Sequence, residues 1–269
     1  LAAWQNAVPL VPSVQLDNRT DAVLEDLTVH LTSDPAVFSP WKAEAALLQP
    51  GGTLVFDNPE LSIHARLLRT RQERERVVIT ARVDVQGVPA AHSSQTVHML
   101  APSEWPGARQ LPDLLAAFVQ PNAPALRPIL RDAAARLKES TGSAALSGYQ
   151  SGDPARVVQM VQALYAAAQA TGITYVNPPA SFEEVGQKIR LPAALLEAKQ
   201  GTCLDISVLM AALLEQVGLH PLLFVVQGHI LPGVWLTDFT LKTPVIDDAA
   251  PILRRIELGE CLFYTSPSP

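Results

Sequence analysis

The sequence predicts an α+β protein: an N-terminal antiparallel β-sandwich, then a helical linker, then a second α+β domain. Three observations carry this expectation. Between Asp21 and Pro102, short runs alternate apolar with polar residues: Leu27, Val29 and Leu31; Leu61, Ile63 and Ala65; Val77, Ile79, Ala81, Val83 and Val85. From Pro124 onward apolar residues recur at helical spacing, first as Leu126, Ile129, Leu130, Ala133, Ala134 and Leu137. After residue 200, one apolar helical run is followed by two strand-like runs.

Each element has its own local reason. Gln86-Gly87 between Val85 and Val88 is suited to turning a hairpin, and Gly51-Gly52 and Asn58-Pro59 mark further turns. Residues 1–102 are therefore assigned to the sandwich. Residues 103–122 hold Trp105-Pro106-Gly107, Pro112 and Pro121-Asn122, and read as a linker with one short helix, 113–119. Residues 123–260 form the second domain. Asp153-Pro154 opens a helix with Asp as N-cap and Pro at the first position, and Gly172 closes it. Residues 173–176 read as a brief extended piece. Ser181-x-x-Glu184 has the spacing of a capping box, and 191–198 suits a short helix. Thr202-Cys203-Leu204-Asp205 opens a helix that runs to about Val217, with Gly218 as its stop; 221–226 and 230–236 are strands flanking Gly228-His229; 251–260 is short and amphipathic.

Composition narrows the function. The chain has 269 residues, 48% of them hydrophobic and 17% charged, enough to bury a real core. A formal net charge of −6 argues against broad nucleic-acid binding through a basic surface. One local exception is Arg66, Arg69, Arg71, Arg74 and Arg76, interleaved with Glu73 and Glu75; it suits a solvated hairpin end better than a phosphate contact, which stays as the weaker option for direct nucleic-acid binding. No apolar run has the length of a membrane span, so no membrane partner is expected and a cytoplasmic location is. No signal peptide is visible. No cofactor or metal is expected: Cys203 and His229 alone cannot close a zinc site, and His30, His64, His92, His98 and His220 lack companions at ligand spacing.

Chemistry concentrates at Cys203. At the first turn of a helix its sulfur meets unpaired N–H groups and the positive end of the dipole, which favour a thiolate and can stabilise a neighbouring oxyanion. Gly201 lets a substrate approach the backbone. His229 follows one helix and one strand later, a path that can return it to the helix start, where an imidazole can take the thiol proton. Asp238, Asp247 and Asp248 are the acidic residues soon after His229 that could orient the ring; Asp238 follows the strand so closely that it can point the wrong way. Gln187 is the preferred side-chain amide for an oxyanion hole, and Gln200 is assigned to capping or solvating the preceding helix. A cysteine at a helix start also serves as a packed small hydrophobe, and a histidine after glycine as a turn residue. Trp235 is read as a core residue rather than a shield of the site.

Gly201-Thr202-Cys203-Leu204-Asp205, Gly228-His229 and Gly233-Val234-Trp235-Leu236 resemble the Cys and His motifs of the transglutaminase-like superfamily. The resemblance implies a papain-like α+β fold, a Cys–His–acid triad and an amide bond of a peptide or protein as substrate. Glu104-Trp105 and residues 114–122, 148–154 and 175–184 resemble the N-terminal region of large bacterial superfamily-1 helicase-like proteins. That implies downstream helicase domains as partners in a parent chain. Two departures stand beside it. In the superfamily's pattern the acid precedes Thr on the strand after the His strand, where this chain has Tyr264-Thr265. No G-x-x-x-x-G-K-[ST] run occurs, so any motor lies downstream. The alternative is a non-catalytic binding or regulatory module of the same fold. Residues 261–269 resemble the conceptual translation of a sequencing adapter, so they are expected to be a non-native tail in which Cys261 carries no function; a natural strand over 261–265 is the alternative.

Overall fold

The computed structural model describes residues 5, 7–176 and 186–263. The fold is mixed α+β, and the chain divides into two compact units, Leu1–Pro102 and Ser103–Pro269.

The first unit is built from two antiparallel sheets. Strands β1 (Ser13–Asp17) and β4 (Thr53–Asp57) pair with each other. Strands β2 (Leu24–Asp34), β3 (Trp41–Leu48), β5 (Glu75–Val85) and β6 (Val88–Met99) form the second sheet in the order β3-β2-β5-β6. Val14 of β1, Val29 and Leu31 of β2, Val77 of β5, and Val37 and Phe38 share one core. The predicted period of two is visible directly: Leu27, Val29 and Leu31 are buried. Gln86 and Gly87 both have positive φ, 50° and 76°, as a two-residue hairpin turn of the favoured hand requires. One predicted strand is different. Ile63 makes only an isolated bridge to Phe38, and Ala65–Thr70 is a helix, α1, that buries Leu68. The run Ala-Arg-Leu-Leu-Arg has good helix formers, and three-residue alternation is too short to outweigh them.

The second unit has a helical core and a three-stranded sheet. Residues 103–122 belong to it and do not behave as a linker. Strand β7 (Glu104–Trp105) pairs with β9 (Gln187–Lys188). Trp105 is fully buried and its indole N–H donates to the Leu111 carbonyl at 2.9 Å. The 3₁₀ helix Asp113–Phe118 buries Leu114, Leu115 and Phe118. Proline and glycine punctuation signalled loops here, but the buried apolar area of one tryptophan and three large side chains ties the segment down.

Helices α2 (Arg127–Thr141), α3 (Pro154–Gln169), α4 (Pro192–Ala198) and α5 (Cys203–Gln216) surround one core that includes Leu137, Met160, Leu164, Leu195, Leu209 and Leu213. The local signals hold: Asp153 accepts from the Ala155 N–H at 2.9 Å as N-cap of α3, with Pro154 next, and Gly142 and Gly172 follow α2 and α3 with positive φ. Strand β8 (Thr174–Tyr175) lies parallel to β10 (Gln200–Gly201). Strands β11 (Pro221–Val226), β12 (His229–Trp235) and β13 (Cys261–Phe263) form an antiparallel sheet in that order. Helix α6 spans Ala250–Glu257. The first three residues of the expected tail thus pair with Gly233–Trp235, and Cys261 is buried beside Trp235 and Ile252. The Ser181–Glu184 pattern and Tyr264-Thr265 lie outside the described residues.

Candidate active site

Cys203 is the first residue of α5, as its sequence context predicts. Thr202 precedes it as N-cap in extended conformation. The Thr202 hydroxyl accepts from the Asp205 N–H at 3.3 Å, and the Asp205 carboxylate accepts from the Thr202 N–H at 2.9 Å. The capping box is therefore complete. Asp205 is fully buried and takes two further bonds, from the Arg190 backbone N–H at 2.7 Å and the Arg190 guanidinium at 3.0 Å. Arg190 had no signal in the sequence, because it reaches the cap from a segment thirteen residues before Cys203. Together these bonds hold the α5 N-terminus rigid, and with it the cysteine.

Gln187 arrives through the β7–β9 pairing, and its side-chain N–H donates to the Thr202 hydroxyl at 3.3 Å. The predicted amide is thus at the helix start, supporting the cap residue. Gln200 is exposed in β10.

The Cys203 side chain is mostly buried, and it forms part of the wall of a cavity of about 130 Å³. Tyr165, Ala168, Ile173, Ile206, Met210 and Pro232 are among the lining residues. Tyr175 lines it too. Its backbone stands opposite Gly201 in the β8–β10 pair, and it lines the cavity together with Cys203. Burial, and then the neighbouring sulfur, hold the Tyr175 hydroxyl above its ordinary value. Sequence reasoning missed this residue: the signal was only a tyrosine in a short extended piece, and parallel pairing across twenty-six residues makes it a neighbour.

His229 opens β12 immediately after the Gln227-Gly228 turn, where Gly228 has φ 69°. The hairpin is fastened to α5 one turn beyond the cysteine: the buried Ser207 hydroxyl donates to the carbonyl of Ile230 at 3.1 Å. Ile230, the residue after the histidine, is thereby tied to the N-terminal half of α5. Strand alternation refines the placement. Pro232 and Val234 face the α5 side, since Pro232 lines the Cys203 cavity and Val234 joins the helical core. His229 takes the other phase, with Leu231, Gly233 and Trp235, at the corner of the hairpin.

The acidic candidates are dispersed. Asp238 accepts from or pairs with His220 Nε2 at 2.9 Å. Asp248 is exposed and accepts from the Ala250 N–H at 3.0 Å at the start of α6; Asp247 is exposed beside it. Trp235 is 1% exposed and packs edge-on against Phe239, whose ring carries the Arg255 guanidinium at 3.8 Å, so it is a core residue. Cys261 is a second, separate thiol; burial pushes it up to about 11, against a smaller lowering by the Val234 backbone.

Two histidines given no companion by spacing have one in space. His30 meets Asp84, itself bonded to Arg82, across the β2–β5 pair at 3.0 Å, and His220 meets Asp238. Neither is near a third ligand, and among the described residues no cluster of His, Cys, Asp and Glu could hold a metal ion. The arginine group divides: Arg66 and Arg69 are exposed on or beside α1, and Arg71 pairs with Glu75. Among the described residues no helix is long and apolar enough to cross a membrane. The chain matches no protein-family model and no curated protein.

Proposed function

We propose that residues 103–269 form a transglutaminase-like, papain-like thiol hydrolase domain in the N-terminal region of a cytoplasmic helicase-like protein. Cys203 is the nucleophile, His229 the general base and an amide bond the substrate. The observation that carries the reading is the sulfur at the first position of a firmly capped helix, opening onto a cavity rather than into packed side chains.

The chemistry then runs as follows. His229 takes the thiol proton as sulfur attacks the amide carbonyl; an S–C bond forms and the oxyanion faces the N–H groups of the α5 N-terminus. The C–N bond breaks, and the amine leaves with the proton returned by His229. Water adds to the thioacyl carbonyl and gives a proton to His229; the S–C bond breaks and the thiol is restored. An amine in place of water gives transglutamination.

The test uses a Cys261→Ser chain, which leaves one thiol, and iodoacetamide labelling read by mass spectrometry from pH 5 to 9. Cys203 is expected to react faster than N-acetylcysteine below pH 7, and His229→Gln is expected to remove that excess. Labelling no faster than the free thiol at any pH refutes the activated thiolate. In the complementary Cys203→Ser chain, Cys261 is expected to stay nearly inert at pH 7, because its thiol is held near 11.

A second reading has its own support. His220 holds Asp238, Asp248 accepts from the Ala250 N–H, and His229 takes the strand phase away from Pro232 and Val234. A binding module that keeps the fold without the triad predicts no difference between Cys203 labelling in the parent and His229→Gln chains.

A further inference from the structure

We infer that the cavity beside Cys203 is an acyl-side pocket, so that the group handed to the thiol carries one compact apolar substituent. The inference rests on the thiol-transfer reading above and narrows its substrate class. The cavity volume is about 130 Å³. An apolar cavity of about 150 Å³ in another protein stays dry and admits benzene, which sets the scale of the occupant. The walls come from four segments: Tyr165 and Ala168 of α3, Tyr175 of β8, Ile206 and Met210 of α5, and Pro232 of β12. Polar atoms at the lining are already engaged or few. Ser207 donates to Ile230, and the remaining polar side chains are the Tyr165 and Tyr175 phenols, whose rings are apolar, and Gln169. A charged or strongly polar substituent would lose its water here without a matching partner. An aliphatic or phenyl group would replace water-exposed surface with contacts to these apolar walls, and each added methylene is worth about fourfold in rate until the space is full.

The probe is a series of p-nitrophenyl esters, from acetate through butyrate and hexanoate to decanoate, with phenylacetate, on the Cys261→Ser chain. In this reaction sulfur attacks the ester carbonyl, an S–C bond forms, the aryl C–O bond breaks and p-nitrophenolate leaves with the electron pair. The thiol proton passes to His229 or to buffer. Rates are divided by those of N-acetylcysteine with the same ester, and acylation at Cys203 is confirmed by mass. The expected result is a rise of about fifteenfold from acetate to butyrate, a further rise to hexanoate, a fall for decanoate, and a high value for phenylacetate. Ala168→Leu, which fills the space from a helix position that tolerates leucine, flattens the series; Ala168→Val does so in part. A parallel measurement omits the reaction: toluene raises the melting temperature of a Cys203→Ala chain, and not of the same chain carrying Ala168→Leu.

Esters that acylate Cys203 with no size preference overturn the pocket while leaving the thiol-transfer reading intact. No acylation by any ester, with toluene stabilisation lost on filling, keeps the pocket and overturns thiol transfer. Neither size preference nor toluene stabilisation overturns the inference.

Discussion

Asp205 shows how much a single side chain can organise. Its carboxylate is fully buried, yet it accepts from the Thr202 N–H, the Arg190 N–H and the Arg190 guanidinium. A buried carboxylate is tolerated only when its lone pairs are filled in this way. The bonds join the α5 cap to the segment after β9, so the cost of losing them falls on both. Asp205→Asn keeps the size and one acceptor oxygen but loses the charge against Arg190. It is expected to lower stability by about 2 kcal/mol or more in urea unfolding. A loss below about half of that would mean that the carboxylate is replaceable and the cap is held elsewhere. Water reaching the half-exposed Arg190 screens part of the ion pair, which holds the loss below that of a fully buried one.

At the scale of elements, the hairpin β11–β12 is held at both ends. Ser207 fastens its turn end to α5. Tyr149, in the loop before α3, fastens the other: its hydroxyl donates to the Trp235 carbonyl at 2.8 Å, accepts from the His220 N–H at 3.0 Å, and its ring lies 5.2 Å from that of His220. Burial, against a smaller lowering by the His220 N–H, pushes this phenol up from 10.0 to about 12. The folded state therefore prefers the neutral hydroxyl, and the unfolded chain gives up the proton first. The resulting stability is fully present below pH 10 and is lost as pH rises from about 10 to 12. Tyr149→Phe should flatten the fall in stability across that window, measured by denaturant melts at intervals of half a pH unit. It will also lower stability at pH 7, by roughly 1 kcal/mol for the two lost bonds. An unchanged slope between pH 10 and 12 would show that the hydroxyl is not held as its geometry indicates.

The whole molecule divides at residue 102, and each unit has its own core. Trp105 and the helix Asp113–Phe118 belong to the second. Residues 103–269 expressed alone are thus expected to unfold in one cooperative thermal transition and keep Cys203 labelling like the full chain. Residues 123–269 are expected to lose that transition, because the β7 partner of Gln187 and the buried Trp105 are gone; removing a core tryptophan alone costs about 3–5 kcal/mol. Equal behaviour of the two fragments would restore the linker reading of 103–122.

Local rules made much of this readable in advance. Strand alternation in 27–31 and 77–85, the Gln86-Gly87 turn, the Asp153-Pro154 start and the Thr202–Asp205 box all act within a few residues, so neighbours in sequence carry the whole signal. The α1 helix escaped because three alternating apolar residues match strand and loop equally well. The site was legible only in outline. Cys203 at its helix start and His229 after its turn were visible, as were the two strands between which His229 lies. Tyr175 beside Cys203 at the cavity, Arg190 on Asp205 and Asp238 on His220 were not, nor was the cavity, because each joins segments that only chain folding brings together. The sequence by itself determined where elements with strong local signals begin, such as α3 and α5, and what the thiol's own helix offers it. Tertiary structure alone decided what faces that thiol, since contacts across separate segments depend on packing, which no short window of residues contains.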